Sequence, residues 1–422
     1  MMNKIFLCIA TLCFLATVSY GQDNTGTPYS FYGLGLMSEN TGPYSAMGGV
    51  AAAMRDENNI NYLNPASYTS LDSNRFYFQF GITGEYTHIS THKESSNYKV
   101  AQNASINMAF RIYKNLYASL GFNEKSDIGY DLLYSNIIPG SDNLYFNQHI
   151  QGEGGLNEAY LGLAWRYKNL SIGLNSALIF GKIEKQQTLQ APQLANSYYI
   201  RTSQNIRVSD GLFTAGIQYL FNLSKKSKLT LGSAFNLGTG LHAKEEFISY
   251  KVNSGTSSSV ILDNNEKLHK GDISYPFRIL SGFDYSYKER WQVAGDYTFQ
   301  KMSDFKEFGK NQNLKDFHHA ALGVSWQPEK MGRYWWQRNK YMLGTYFVRS
   351  SVNLKDKNIN TYAFTLGTQM PVFSRNSELL LGIALDFGIR GTEAQGLIQE
   401  KFGKIRINIA FKEGWFMKRK IN

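Results

Sequence analysis

Residues 404–412 read "KIRINIAFK". Ile405, Ile407, Ile409 and Phe411 fall on one side of an extended chain, and Lys404, Arg406, Asn408, Ala410 and Lys412 on the other. A helix would scatter these residues around its axis, whereas the period-2 alternation of a strand separates them. The apolar face is broad and continuous, and the opposite face is polar and cationic. Two earlier segments repeat the theme. In "ASINMAFRI" (104–112), Ile106, Met108, Phe110 and Ile112 share a face; in "AYLGLAWRY" (159–167), Leu161, Leu163, Trp165 and Tyr167 do. Their opposite faces carry Ser105, Asn107 and Arg111, and Tyr160, Gly162, Ala164 and Arg166.

From about Asn74 onward the chain repeats this unit of roughly ten alternating residues and a turn. Strands are expected near 74–89, 102–113, 115–135, 156–167, 169–184, 198–222, 228–243, 272–287, 289–302, 316–327, 340–351, 359–371, 377–390 and 402–416. That is an even set of fourteen, apolar outward and polar inward: an all-β fold, a transmembrane antiparallel β-barrel. The facing predicts that an arginine is tolerated at Asn408, toward the lumen, and not at Ile407, toward lipid.

The first residues, "MMNKIFLCIATLCFLATVSYG", carry Lys4, an apolar run, and then Ser19 and Gly21 before Gln22. This is the three-part pattern of a secretory signal, 1–21, and the run is too short to favour a membrane-spanning helix. Neither Cys8 nor Cys13 follows a small residue, so a lipid-anchored start is not expected, and both cysteines leave with the signal. A disulfide scaffold, a thiol nucleophile and a cysteine metal site are therefore excluded from the mature chain. Without Lys4, 43 basic residues face 33 acidic ones. For an exported barrel, that surplus points to the envelope rather than to nucleic acid.

The connections alternate in length. "YKN" (113–115), a second "YKN" (167–169), "YKER" (287–290) and "VFSRNS" (372–377) are short, while 136–155 and 244–271 read as long loops. Short turns face the periplasm and long loops the outside, which puts both termini on the periplasmic side of the cell outer membrane. All six tryptophans (Trp165, Trp291, Trp326, Trp335, Trp336 and Trp415) lie at or beside short turns or the C-terminus, as an interfacial aromatic belt requires.

Residues 22–73 precede the first strand and cannot lie in lipid. A fourteen-stranded barrel leaves a lumen too wide for its own side chains to fill. A compact segment folded back inside would close it. Met47, Gly48, Gly49 and the alanines after them allow close packing against the wall, and Asn64, Pro65 and Ala66 form a stop and turn into the first strand. The competing reading is a flexible periplasmic tail, which low charge and many Ala, Met, Tyr and Leu argue against. "AMGGVAAAMRDENNINYLNPASYTSLD" (46–72) resembles the N-terminal hatch of the FadL/TodX outer-membrane transporter family. "TPYSFYGLGL" (27–36) and "FKEGWFMKRKIN" (411–422) resemble the Bacteroidota branch of such barrels. The resemblance implies a fourteen-stranded barrel, 74–422, plugged by a hatch, 22–73. No residue of the family's fatty-acid pocket aligns.

No G-x-S-x-G or H-E-x-x-H occurs, "GEGGLN" (152–157) reads as the end of an outer loop, and adjacent His318 and His319 point to opposite faces. Neither catalysis, nor a metal, nor a cofactor is expected. Basic residues gather at the short-turn end: Lys225, Lys226 and Lys228; Lys330, Arg333, Arg338 and Lys340; Lys418, Arg419 and Lys420. They suit outer-membrane lipid headgroups or, as a sharper alternative, a docking face for an envelope protein partner. The leading functional expectation, implied by the resemblance, is a channel taking up small hydrophobic, fatty-acid-like molecules, gated by the hatch. The alternative is a non-transporting barrel subunit of a larger outer-membrane machine, such as a secretion or barrel-assembly complex.

Overall fold

The computed structural model describes residues 26–37, 42–138, 140, 144–191, 198–253, 259–373 and 377–414. The signal peptide, Trp415 and the basic tail Lys418, Arg419 and Lys420 lie outside the described residues. Among those described, no helix is long and apolar enough to cross a membrane.

Fourteen antiparallel strands close on themselves. They are β1 (Arg75–Ser90), β2 (Ser95–Tyr113), β3 (Leu116–Ile137), β4 (Tyr145–Tyr167), β5 (Leu170–Gln190) and β6 (Tyr198–Asn222). Next come β7 (Ser227–Asn236, resuming at Thr239–Asn253) and β8 (Ser259–Tyr275, resuming at Arg278–Tyr287). The last six are β9 (Trp291–Gln300), β10 (Phe317–Trp326), β11 (Lys340–Leu354), β12 (Lys357–Phe373), β13 (Ser377–Gly391) and β14 (Gln399–Gly414). Pairing of β14 with β1, from Gln399 with Ser90 to Gly414 with Arg75, leaves no free edge, which is what a sheet in hydrocarbon requires.

The alternation is obeyed side chain by side chain. Ile407 is 37% exposed on the outer wall, and Asn408 is 4% exposed inside. Leu161, Leu163, Trp165 and Tyr167 are exposed, whereas Tyr160 and Ala164 are buried. Trp291 stacks on Trp326 (5.9 Å) and Trp326 on Tyr341 (5.8 Å), all at the short-turn end, forming part of the aromatic belt.

Two expected loops are largely strand. β3 and β4 run 22 and 23 residues, with the Ile138 N–H donating to the Leu144 carbonyl beyond them, and Thr239–Asn253 of β7 pairs with Ser259–Tyr275 of β8. A strand needs only about 9–11 residues to cross the bilayer, so these hairpins project well beyond it. Backbone groups outside the membrane are still satisfied by the ladder, which makes continuation cheaper than an open loop. "GEGGLN" accordingly lies within β4. Gly154 and Gly155 have φ of +109° and +154°, and a Cβ on Gly155 would sit 2.2 Å from the Ser126 carbonyl oxygen. Those glycines serve a close strand approach rather than ending a loop.

Candidate functional site

The short-turn half of the lumen is filled by residues 42–73, folded as two six-residue 3₁₀ turns, Gly42–Met47 and Pro65–Ser70, joined by an irregular stretch. Asn64 caps the second turn: its Oδ1 accepts the Ala66 N–H at 3.1 Å, and Pro65, lacking an N–H, starts the turn at no loss. Ala46, Met47, Val50 to Met54 and Ala66 are all at most 1% exposed.

This segment follows the wall around its circumference, and a belt of wall glycines makes room for it. A Cβ on Gly367 (β12) would lie 2.7 Å from the Ala46 Cβ. One on Gly344 (β11) would lie 2.3 Å from the Gly48 nitrogen, and one on Gly323 (β10) 2.3 Å from the Met47 oxygen. Gly232 (β7) faces the Ala52 oxygen at 2.1 Å, Gly216 (β6) the Asn64 Oδ1 at 2.1 Å, and Gly173 (β5) the Pro65 carbonyl carbon at 2.5 Å. Any side chain there would displace the segment. Gly48 and Gly49 have φ of +75° and +82°, so the tight turn at this seam also needs glycine.

Hydrogen bonds from the wall hold the chain in place. One carboxylate oxygen of Asp296 (β9) accepts the N–H groups of Ala51 (2.5 Å) and Ala52 (2.8 Å). Thr365 (β12) accepts from Gly48 N–H (2.9 Å) and donates to the Ala46 oxygen (2.9 Å). Gln79 (β1) accepts from Ile60 N–H (2.9 Å), and within the segment itself Asn64 Nδ2 donates to the Ala52 oxygen (2.6 Å). Backbone groups without helix or sheet partners are thereby satisfied, as a buried irregular segment requires.

The polar knot Arg55 to Asn59 sits at the short-turn end and is tied to several strands. Arg55 donates to Ser171 and Gln218 at 3.0 Å each, and burial with Arg166 nearby lowers its pKa to about 10. Glu57 pairs with Lys330, Asp56 with Lys340 (3.7 Å), and the Asn58 Oδ1 accepts from Lys412 (2.7 Å). The expected docking residues therefore separate: Lys330 grips the luminal segment, and exposed Arg333 lies over the Tyr334 ring (6.0 Å). Arg338 ends the short helix Trp335–Arg338.

Above this seam, in the long-hairpin half, the luminal wall is charged. Lys404 pairs with Glu85 (2.8 Å), Arg406 with Asp386 (2.8 Å) and Arg390 with Glu400 (2.7 Å). A cavity of about 220 Å³ remains there, floored by Ser45, Gly48 and Gly49 and lined both by Arg390, Lys404 and Arg406 and by apolar side chains such as Leu34, Met302 and Val348. The described N-terminal chain covers it. Thr27 donates to Glu400 (2.5 Å), Tyr29 to the Ile398 oxygen, and Leu36–Met37 pairs with Asp127 and Ser126 of β3. The chain thus descends through the lumen to reach β1, whereas β14 ends at the short-turn end. At the upper rim an apolar cleft of about 440 Å³ is lined by Phe31, Tyr32, Leu132, Tyr134, Ile150 and Leu397.

The sequence-predicted Met47, Gly48, Gly49, Asn64, Pro65 and Ala66 are thus all brought to the luminal wall. Asp296, Thr365, Gln79 and the wall glycines escaped notice, although glycine at mid-strand on the inner face, as in Gly323, Gly344 and Gly367, was a readable signal. His319 lines the cavity, and His318 contacts Tyr297 (2.7 Å) at the outer wall. Among the described residues, no group of three His, Cys, Asp or Glu side chains could hold a metal ion.

Several solved structures share this fold. A Pseudomonas aeruginosa FadL homologue aligns with a TM-score of 0.64 and 11% identity, over 90% of this chain and 99% of that one. The Pseudomonas putida toluene transporter TodX gives 0.59 and 14%, over 91% and 100%. The CymD monoaromatic hydrocarbon channel gives 0.58 and 14%, over 89% and 98%. The chain therefore has the architecture of the FadL/TodX-type outer-membrane channels. No curated protein matches it in sequence. Its own sequence matches the family model described as BamG along residues 1–422, and the chain belongs to the BamG family.

Proposed function

We propose that this barrel is a sealed, non-conducting subunit of a larger outer-membrane assembly, its short turns toward the periplasm. The observation that carries this reading is the seam itself. Residues 42–69 lie against glycines on eight strands, from Gly162 of β4 to Gly382 of β13, with no room for a methyl group at seven of them. Opening a path means breaking the hydrogen bonds to Asp296, Thr365 and Gln79 together, each worth about 0.5–1.5 kcal/mol net. Above the seam the remaining cavity is small, about 220 Å³, and the described N-terminal chain at Tyr29, Tyr32 and Leu34 lines it as well, so the space does not continue as an open path. The full-length family match, set against 11–14% identity to the channels, fits a role separate from theirs.

A second reading, a hatch-gated channel for small hydrophobic, fatty-acid-like molecules, is favoured by the apolar rim cleft and by the channel fold. Purification from native membranes in mild detergent separates the two. A subunit brings defined envelope proteins in fixed ratio and gives no stepwise conductance in a planar bilayer. Isolation as a lone barrel with extractable hydrophobic molecules in its lumen would establish the channel instead.

A further inference from the structure

Three short turns share one unusual construction. In Tyr113-Lys114, Tyr167-Lys168 and Tyr287-Lys288 the lysine adopts a left-handed backbone, with φ of 39°, 53° and 52°. That conformation is disfavoured for any residue with a Cβ and is usually given to Gly, Asn or Asp. In each turn the lysine folds back over the ring of the tyrosine before it, with Nζ 5.1, 5.4 and 5.2 Å from the ring centre. The tyrosines are 63%, 54% and 38% exposed on the outer wall. Each turn is also fixed to a neighbour. Asn115 and Asn169 carbonyls accept from Arg166 and Leu220, and Lys288 N–H donates to the Lys226 carbonyl.

These turns lie level with the aromatic belt, where Trp165 stacks on Tyr167 at 5.8 Å. A lysine there would ordinarily extend into water. Held over the ring, its ammonium instead stays close to the barrel wall at the aromatic belt, its charge eased by the ring face. The nearby Glu289 is engaged by Lys228 (3.3 Å), and Arg333 over Tyr334 repeats the pairing on a fourth turn.

We propose that the Tyr-Lys turns at 113–114, 167–168 and 287–288 are phosphate-binding clamps for anionic phospholipid of the leaflet that contacts the short-turn end. Cationic side chains close to a membrane surface attract anionic lipid, and three in one plane add. The inference rests on the barrel fold and not on the proposed role in an assembly.

The test is native mass spectrometry of the full chain in detergent, titrated with phosphatidylglycerol or phosphatidylcholine. The variants are Lys114→Asn/Lys168→Asn/Lys288→Asn, in which asparagine suits the left-handed turn, and the matching triple arginine. Heat-modifiable gel migration verifies that each is folded. Wild type and the arginine variant should retain phosphatidylglycerol preferentially. The asparagine variant should lose at least about threefold of that retention, with phosphatidylcholine unchanged. Unchanged phosphatidylglycerol, an equal fall in both lipids, or displacement by millimolar inorganic phosphate would overturn the assignment. So would loss of a co-purifying protein with lipid retention intact.

Discussion

The two halves of the lumen solve one problem in opposite ways. At the short-turn half the wall gives up its side chains, and glycines let the inner segment approach until backbone meets backbone. At the long-hairpin half the wall keeps long charged side chains, paired among themselves around a cavity. What stands inside determines what the wall can carry. Where chain fills the lumen, a Cβ is too much. Around the cavity, Lys, Arg, Asp and Glu span the space beside the apolar cluster of Leu34, Ile128, Met302 and Phe305, and each buried charge needs its partner.

The contrast can be broken most severely by deleting residues 26–70. The lipid-facing strands are untouched, so the barrel should insert, and single-channel conductance in a planar bilayer should rise well above that of the intact protein. No change on deletion would mean that the segment does not seal the lumen.

Arginine at adjacent positions sharpens the picture next. Ile407→Arg puts a charge toward lipid, at about 2–4 kcal/mol for a midplane position. From alternation alone, Asn408→Arg should be harmless. The structure leads to a different expectation, because Asn408 is only 4% exposed and the inner segment at Gly42 stands in front of it, where a longer charged side chain would extend. Both variants should therefore lower the urea midpoint of the folded barrel. Asn408→Arg should lose this effect when combined with deletion of residues 26–70, while Ile407→Arg keeps it.

A paired test on β11 compares the halves directly. Gly344→Leu at the seam should cost about 1–3 kcal/mol or expel the inner segment, since the atoms in the way are backbone. Val348→Leu lines the cavity four residues higher on the same face and should cost less, under about 1.5 kcal/mol. Equal effects in urea titrations would mean that the two halves are equally packed.

The smallest expected effect is at the Glu57–Lys330 pair, about half exposed. Lys330→Gln should change stability by less than about 1 kcal/mol. Any larger change in limited proteolysis of the inner segment would make this pair a latch rather than one tie among several.

How much was legible follows from which interactions are local. Alternation in "KIRINIAFK" and its relatives was enough to locate every strand and face, because lipid imposes the same demand on each strand separately. The small-residue run and Asn64-Pro65-Ala66 marked a compact segment before β1, since capping and glycine turns act over a few residues. The hairpin extensions of β3–β4 and β7–β8 were not legible, because outside the membrane no lipid enforces a pattern and a polar strand reads like a loop.

The sequence by itself determined the number of strands, their facing and the composition of the inner segment. Only the tertiary structure decided which wall residue meets which part of that segment. Asp296 reaches Ala51 and Ala52 across more than two hundred residues of chain, and Gly216 owes its missing side chain to Asn64. Such pairings arise when fourteen strands close at one register and bring distant positions to one level, a constraint that no local stretch carries.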